Sequence, residues 1–188
     1  YRRQRQMCIR DRIDNIVEQM LFYARSDSVE KDYFVKKVLL EDVVHIAIMD
    51  YMDSFIQKKI SLDVYNLENY VYIDEKWITF IMCQVLQNSI KYLNKPEKII
   101  KIHSENNKNN VLLVIEDNGE GILDHDLPRV FEYGFTGTDR QKQYSTGIGL
   151  YLCKKLCNKM NLDIKIESQY KKFTKVKIIF PKTNLYRQ

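Results

Sequence analysis

All 6 glycines of this 188-residue chain lie between Gly119 and Gly149. Glycine weakens helices and strands, and it is useful where backbone must take a positive φ or pass close to another group. The chain on either side is therefore free to be regular, and the irregular, close-approach backbone is confined to one stretch. Two pieces of that stretch stand out. Residues 117–122, Asp-Asn-Gly-Glu-Gly-Ile, directly follow an apolar run; residues 145–150, Ser-Thr-Gly-Ile-Gly-Leu, open an apolar-periodic segment. The second piece sets N–H groups at a helix N-terminus, an arrangement that suits phosphate. It is neither GxGxxG nor GxxxxGK[ST], so the dinucleotide-fold and P-loop readings fail.

The flanks alternate between helical and strand-like spacing. Ile13, Ile16, Val17, Met20, Leu21 and Ala24 recur at intervals of three and four, predicting a helix with one apolar stripe. A short strand is expected over 33–38. A helix is expected from Glu41-Asp42 to about Lys58, with Val44, Ile48, Tyr51, Met52 and Phe55 on one face. Short strands follow at 60–64 and 71–73. Asp74 is a capping residue for a helix reaching Tyr92, apolar almost all round and hence central. Residues 99–104 alternate, and 111–116 read as a strand buried on both faces. A helix over 148–160 and a hairpin of 164–168 with 174–180 complete the pattern. Strands interleaved with amphipathic helices predict an α/β sandwich. Residues 1–12 are basic and aperiodic, resembling translated adapter read-through, and are set aside as non-native.

Charge and cysteine usage narrow the function. The net charge of +5 is dispersed, with pairs such as Lys58-Lys59 and Lys171-Lys172 but no basic run of the kind that marks a nucleic-acid tail. Such a surface favours nucleotide phosphates or an acidic protein partner over nucleic acid. Cys153 and Cys157 are spaced for adjacent helical turns rather than as CxxC, and no His stands near them at zinc spacing, so the thiols are expected buried and reduced in a cytoplasmic domain. No apolar run approaches the ~18 residues that a membrane helix needs.

Polar residues interrupt the central helix on one face: Gln84, Asn88, Lys91 and Tyr92, at i, i+4, i+7 and i+8. An amide oxygen such as that of Asn88 can ligate Mg²⁺, Lys91 can meet phosphate charge, and Tyr92 can pack beside a base. Four segments in order then resemble sensor histidine kinases of the gyrase–chaperone–kinase–MutL ATPase superfamily. Gln84-Val-Leu-Gln-Asn88-Ser-Ile-Lys91-Tyr92 is similar to the N box, and Asp117-x-Gly119-x-Gly121 to the first glycine box. Val130-Phe131-Glu132-Tyr133-Gly134-Phe135 is similar to the F box, and Thr146-Gly147-Ile148-Gly149-Leu150 to the second glycine box. Thr174, before Phe180-Pro181, fits the closing signature. Residues 145–157, STGIGLYLCKKLC, also resemble the short kinases that sense bacitracin or antimicrobial peptides beside a transporter.

The resemblance implies a Bergerat-type two-layer fold: a mixed, mostly antiparallel sheet covered on one face by three helices, with ATP between helices and lid. It implies that Asp117 accepts the adenine amino group, that Gly119 and Gly121 let backbone pass close to the base, and that Asn88 binds Mg²⁺. Residues 133–145 would form the lid, with Arg140, Lys142 and Thr146 as phosphate contacts and Thr174 reaching adenine through water. Phe131, Gly147, Gly149 and Leu150 belong to the same nucleotide site. ATP-hydrolysing relatives carry Glu four residues before the metal-binding Asn, where it orients and deprotonates water. Gln84 stands there and cannot accept a proton, so transfer to a better nucleophile is favoured over hydrolysis.

The family's acceptor, a His followed by Asp or Glu on a dimerisation hairpin, is not matched by His45, His103 or His125. It is expected upstream, with residues 13–32 a hairpin remnant and 33–188 the ATP-binding domain of a membrane sensor. The implied partners are a response-regulator receiver domain, a second copy through the hairpin, and a transporter; any membrane attachment would come from the upstream part. The competing readings are a nucleotide-binding regulatory module or degenerate kinase without phosphotransfer, and a hydrolysing ATPase, which Gln84 opposes.

Overall fold

In the computed structural model the described residues are 33–137 and 146–182, together with Val17, Met20, Leu21 and Ala24. Those four are helical and exposed, consistent with the periodicity that predicts a helix there. Arg140 and Lys142, most of residues 1–32, and 183–188 lie outside the described residues.

The chain runs β1 (Lys36–Leu39), α1 (Leu40–Asp50), α2 (Met52–Lys58), β2 (Ile60–Tyr65), β3 (Tyr70–Ile73), α3 (Glu75–Tyr92), β4 (Lys98–Asn106), β5 (Asn110–Asp117), α4 (Gly149–Lys159), β6 (Asp163–Gln169) and β7 (Phe173–Pro181). A 3-10 turn, Leu127–Arg129, lies between β5 and α4. Five strands form one sheet in the order β2-β4-β5-β7-β6, and β1 pairs with β3 in a separate ribbon. Only β2 and β4 are parallel; the other pairings are antiparallel. This is the two-layer α/β sandwich expected.

Alternation decides which face of the sheet meets the helices. Ile100 and Ile102 of β4, Leu113 and Ile115 of β5, Ile164 of β6, and Val176 and Ile178 of β7 are buried beneath them. Across the interface α3 contributes Trp77, Ile78, Ile81, Met82 and Leu86, and α4 contributes Leu152, Cys153, Leu156 and Cys157. The outer face is covered by long charged side chains paired across strands, Lys175 with Glu116 at 2.7 Å and Lys177 with Glu167 at 2.5 Å. Val114 is nonetheless buried on that face, so β5 is enclosed on both sides as its unbroken apolar run predicts. The cysteines behave as small hydrophobes: burial pushes the Cys157 thiol up to about 12.

Asp74 caps α3 as expected, its Oδ1 accepting from the Lys76 N–H at 3.0 Å. Its Oδ2 also accepts from the Phe34 N–H at 2.9 Å, and Lys36 pairs with Glu75. The start of the central helix is thus tied to the segment leading into β1. Tyr33 is drawn into the same corner, its hydroxyl pushed up to about 12 by burial and by Asp74.

Two elements differ from the sequence reading. The first strand begins at Lys36 rather than at residue 33. The helix expected from 41 to 58 is two helices, broken at Tyr51, whose φ of −112° and ψ of 10° leave the helical region. The apolar stripe runs through the break without interruption, so periodicity could not reveal it. Tertiary packing imposes the turn. Helix α1 buries Leu40, Val43, Val44 and Ala47 against α3, while α2 must deliver the chain to β2 alongside β4. The Lys58 ammonium then donates to the Ile90 carbonyl at 3.0 Å, and burial beside Lys98 lowers its proton affinity.

Candidate functional site

Strand β5 ends at Asp117, and α3 passes over that end at Ser89. The Asp117 side chain is 4% exposed. Its Oδ2 accepts from Ser89 Oγ at 2.8 Å and its Oδ1 from the Gly119 N–H at 3.0 Å. No cation neutralises it at contact distance among the described ion pairs. Burial pushes its carboxyl up to about 6; Ser89, Gly119 and the more distant Lys95 pull it down, and Glu116 pushes it up. A buried carboxylate with one donor on each oxygen retains further acceptor capacity on both. Such a group at the end of a strand, leading into a glycine-rich turn, can select a ligand by a single donor.

Thr174 of β7 stands directly opposite Asp117 in the sheet, and Ser168 of β6 is opposite Thr174. The two hydroxyls are 3.4 Å apart, and Ser168 Oγ accepts from the Ile122 N–H at 2.8 Å while donating to the Phe173 carbonyl at 2.7 Å. Three strands therefore bring a row of small polar side chains to one end of the sheet. Among the described residues, a cleft of about 20 Å³ at the opposite end of β5 is lined by Val71, Val111, Leu162 and Phe180.

The first glycine turn is crowded by protein. A Cβ on Gly119 would fall 2.7 Å from both Asp117 Oδ1 and the Tyr92 carbonyl oxygen; a Cβ on Gly121, at φ 70°, would overlap the Gln169 carbonyl. Backbone bonds from Glu120 N–H to the Tyr92 carbonyl (3.1 Å) and from Lys171 N–H to the Glu120 carbonyl (2.5 Å) clamp the turn between α3 and the β6–β7 hairpin. Asn118 completes the clamp, accepting from the Ile99 N–H at 2.9 Å and donating to the Glu97 carbonyl at 3.1 Å. The glycines at 119 and 121 are thus required by neighbouring backbone, whatever else approaches the turn.

Helix α4 packs beside α3 and leads into β6 at Asp163, at the far end of the sheet from Asp117, so its N-terminus and the second glycine segment lie back toward the Asp117 end. Gly147 takes φ 67°, and a Cβ there would overlap the backbone of Gly134 and Phe135; the Gly134 N–H donates to the Gly147 carbonyl at 3.1 Å. Thr146 Oγ1 accepts from the Ile148 N–H at 3.3 Å, and Gly149 and Leu150 form the first turn of α4. Phe131 packs against the core with the Lys154 ammonium 5.7 Å from its ring centre, and Tyr133 meets Tyr151 edge-on at 5.2 Å. On α3, Gln84 is buried, Asn88 is half-buried one turn later, Lys91 is exposed with its ammonium 5.2 Å from the Tyr92 ring centre, and Tyr92 is half-buried.

Asn88, Lys91, Tyr92, Asp117, Gly119, Gly121, Phe131, Thr146, Gly147, Gly149, Leu150 and Thr174 are thus carried on α3, α4, the ends of β5 and β7 and the turns that join them. Ser89, Asn118 and Ser168 join these residues through contacts that no motif in the sequence marks. Ser89 is separated from Asp117 by 28 positions, and only the lie of α3 across β5 pairs them. The three histidines stand apart: His45 is exposed on α1, His103 stacks on Tyr65 with ring centres 4.8 Å apart, and His125 is exposed before the 3-10 turn.

Known proteins share both this sequence and this architecture. Residues 73–184 match the family described as histidine kinase-, DNA gyrase B-, and HSP90-like ATPase. The sensor protein BceS of Halalkalibacterium halodurans is 37% identical over 174 residues, covering 92% of this chain and 52% of that protein. The sensor protein kinase GraS of Staphylococcus aureus is 35% identical over 175 residues, covering 92% of this chain and 50% of that protein. The chain therefore spans about half the length of the relatives it matches. Among solved structures, the histidine kinase AdeS of Acinetobacter baumannii superposes with a TM-score of 0.70 at 20% identity, over 89% of this chain and 77% of that one. The catalytic domain of the histidine kinase ThkA gives 0.67 at 20% identity, over 79% of this chain and 98% of that one. On the family match and these two sensor-kinase relatives, the chain belongs to the histidine kinase-, DNA gyrase B-, and HSP90-like ATPase family, as an ATP-binding domain of the sensor histidine kinase type.

Proposed function

We propose that this domain binds ATP with Mg²⁺ and presents its γ-phosphate to a histidine outside the 33–188 domain, from which the phosphoryl group passes to an aspartate on a response-regulator receiver domain. The observation that carries this reading is the Asp117 carboxylate: buried, held by one neutral donor on each oxygen, and without a contacting cation among the described residues. An adenine amino group supplies the missing donor, whereas a guanine carbonyl would leave two acceptors facing each other. Thr174, opposite Asp117 in the sheet, would reach the same base through a water.

Asn88 fits a hard cation through its amide oxygen, and its place next to Ser89 on α3 sets it one step from the base-binding end. Bound there, Mg²⁺ would neutralise charge on the phosphates. Thr146 and the first turn of α4 would receive the phosphate chain, with Lys91 and Arg140 adding positive charge. Phosphoryl transfer asks the protein chiefly for positioning and charge neutralisation. Gln84 favours a histidine imidazole over water as acceptor, because it cannot take a proton from water. Dimerisation through residues 13–32 and an upstream hairpin partner, attachment of the whole protein to a membrane, and a transporter partner of the kind implied by the bacitracin-sensing resemblance belong to the same proposal.

Calorimetry with ATP and GTP in the presence of Mg²⁺ tests it. ATP is expected to bind in the micromolar range, about −7 to −8 kcal/mol, with little GTP binding. Asp117→Asn, which puts a donor where the adenine amino group donates, is expected to weaken ATP binding by roughly ten- to hundredfold. A folded chain that binds no ATP would favour the degenerate-scaffold reading.

A further inference from the structure

Ser89 sits inside α3, 4% exposed, between Asn88 and Ile90. A serine within a helix ordinarily turns its hydroxyl to the carbonyl one turn back or to solvent. Here the hydroxyl goes to Asp117 Oδ2, on another element, at 2.8 Å. Helix preference does not call for serine at this place, since alanine is the better helix former. The Gly119 N–H reaches Oδ1 from the opposite side of the carboxyl group, so the two donors fix both oxygens and hence the plane of the carboxylate.

We infer that Ser89 is a positioning residue for nucleotide selection: it holds Asp117 in the orientation and charge state that accept an adenine amino group. The inference rests on the adenine-binding reading of Asp117 and adds to it the group that keeps that carboxylate fit for use. The other charged groups acting on Asp117 are Glu116 on β5, itself bridged to Lys175 of β7, and Lys95 in the loop after α3. Neither contacts it, so the Ser89 hydroxyl and the Gly119 amide are the local supports of its charge. Without Ser89, Oδ2 would lie buried with no donor, and protonation would relieve it.

Two measurements on the full chain test this. One is the carbon-13 NMR titration of the Asp117 carboxyl without nucleotide; the other is calorimetric ATP binding with Mg²⁺ from pH 5.5 to 8.5, ranges chosen about the raised titration of Asp117. In Ser89→Ala the carboxyl is expected to titrate about one pH unit higher than in the unmodified chain. ATP affinity should stay within about threefold at the alkaline end, fall roughly a further threefold near pH 6.5 and approach a further tenfold at pH 5.5, a profile that a loss of packing alone would not produce. Ser89→Cys, with a weak S–H donor, should lie between, and serves if the alanine variant does not fold. An Asp117 titration that superimposes on the unmodified chain's overturns the inference whether or not ATP binds. A shifted titration with an unshifted ATP profile overturns the link to nucleotide selection. If the folded, unmodified chain binds no ATP, the adenine reading fails, and the carboxyl titration still decides whether Ser89 supports Asp117.

Discussion

The two glycine turns look alike in sequence and are held in different ways. The first, around Gly119 and Gly121, is wedged between the end of α3 and the β6–β7 hairpin, with backbone bonds on both sides and Asn118 stitched to β4. The second, at Gly147, meets another loop, where among the described residues the Gly134 N–H donates to the Gly147 carbonyl. The first is part of the folded core and the second a joint between loops. On the proposed reading, the first turn would form the base end of the nucleotide site and the second its phosphate end, so the two ends would be supported to different degrees.

The largest effect should follow Gly121→Ala, which demands a positive φ of a side-chain-bearing residue and drives its Cβ into the Gln169 carbonyl. A loss of about 3–5 kcal/mol is expected, enough to remove much of a domain's stability, and denaturant unfolding would measure it. A small loss would mean that the first turn is not locked to the hairpin.

The next effect concerns pH. Asp117 is raised to about 6 from its ordinary 3.8, so between those values the folded chain holds a proton that the unfolded chain has released. Stability from this group is therefore greatest at the acid end and falls as pH rises through that window, by roughly 2–3 kcal/mol. Urea unfolding of the unmodified chain and of Asp117→Asn from pH 4 to 7 should differ by that slope, with the variant relatively more stable at neutral pH. Parallel curves would show that Asp117 is not as dry as its burial indicates.

Gly147→Ala should be mildest for the fold. The clash falls on the backbone of Gly134 and Phe135, outside the helices and strands, so the cost should be chiefly that of the positive φ, about 1–2 kcal/mol. ATP affinity should nevertheless weaken about tenfold or more, because the joint at the phosphate end is broken. Equal stability losses at Gly121 and Gly147 would erase the distinction between the two turns.

Much of this was readable before any coordinates. The alternation of 99–104, the unbroken apolar run at 111–116 and the Asp74 cap each reappear as the corresponding element, because local periodicity and capping chemistry act over a few residues. The clustering of all glycines marks the irregular turns between β5 and α4 for the same reason. Tyr51 shows where such reading stops: the apolar stripe passes straight through it, yet the helix breaks to deliver the chain to β2. Ser89 is a sharper case. It lies inside the motif that resembles the N box, and nothing around it in the chain pairs it with Asp117.

The sequence by itself determined the order of elements, the placement of irregular backbone, and the residue types available to a nucleotide: an amide at Asn88, a carboxylate at Asp117, N–H groups at the start of α4. These are properties of neighbours along the chain, set by periodicity and by what each side chain can donate or accept. Tertiary structure alone decided which polar groups meet. The register that sets Thr174 opposite Asp117, the crossing that puts Ser89 over the end of β5, and the hairpin backbone that makes Gly121 obligatory are long-range contacts. They are fixed by how the buried faces of helix and sheet pack together, which no local pattern encodes.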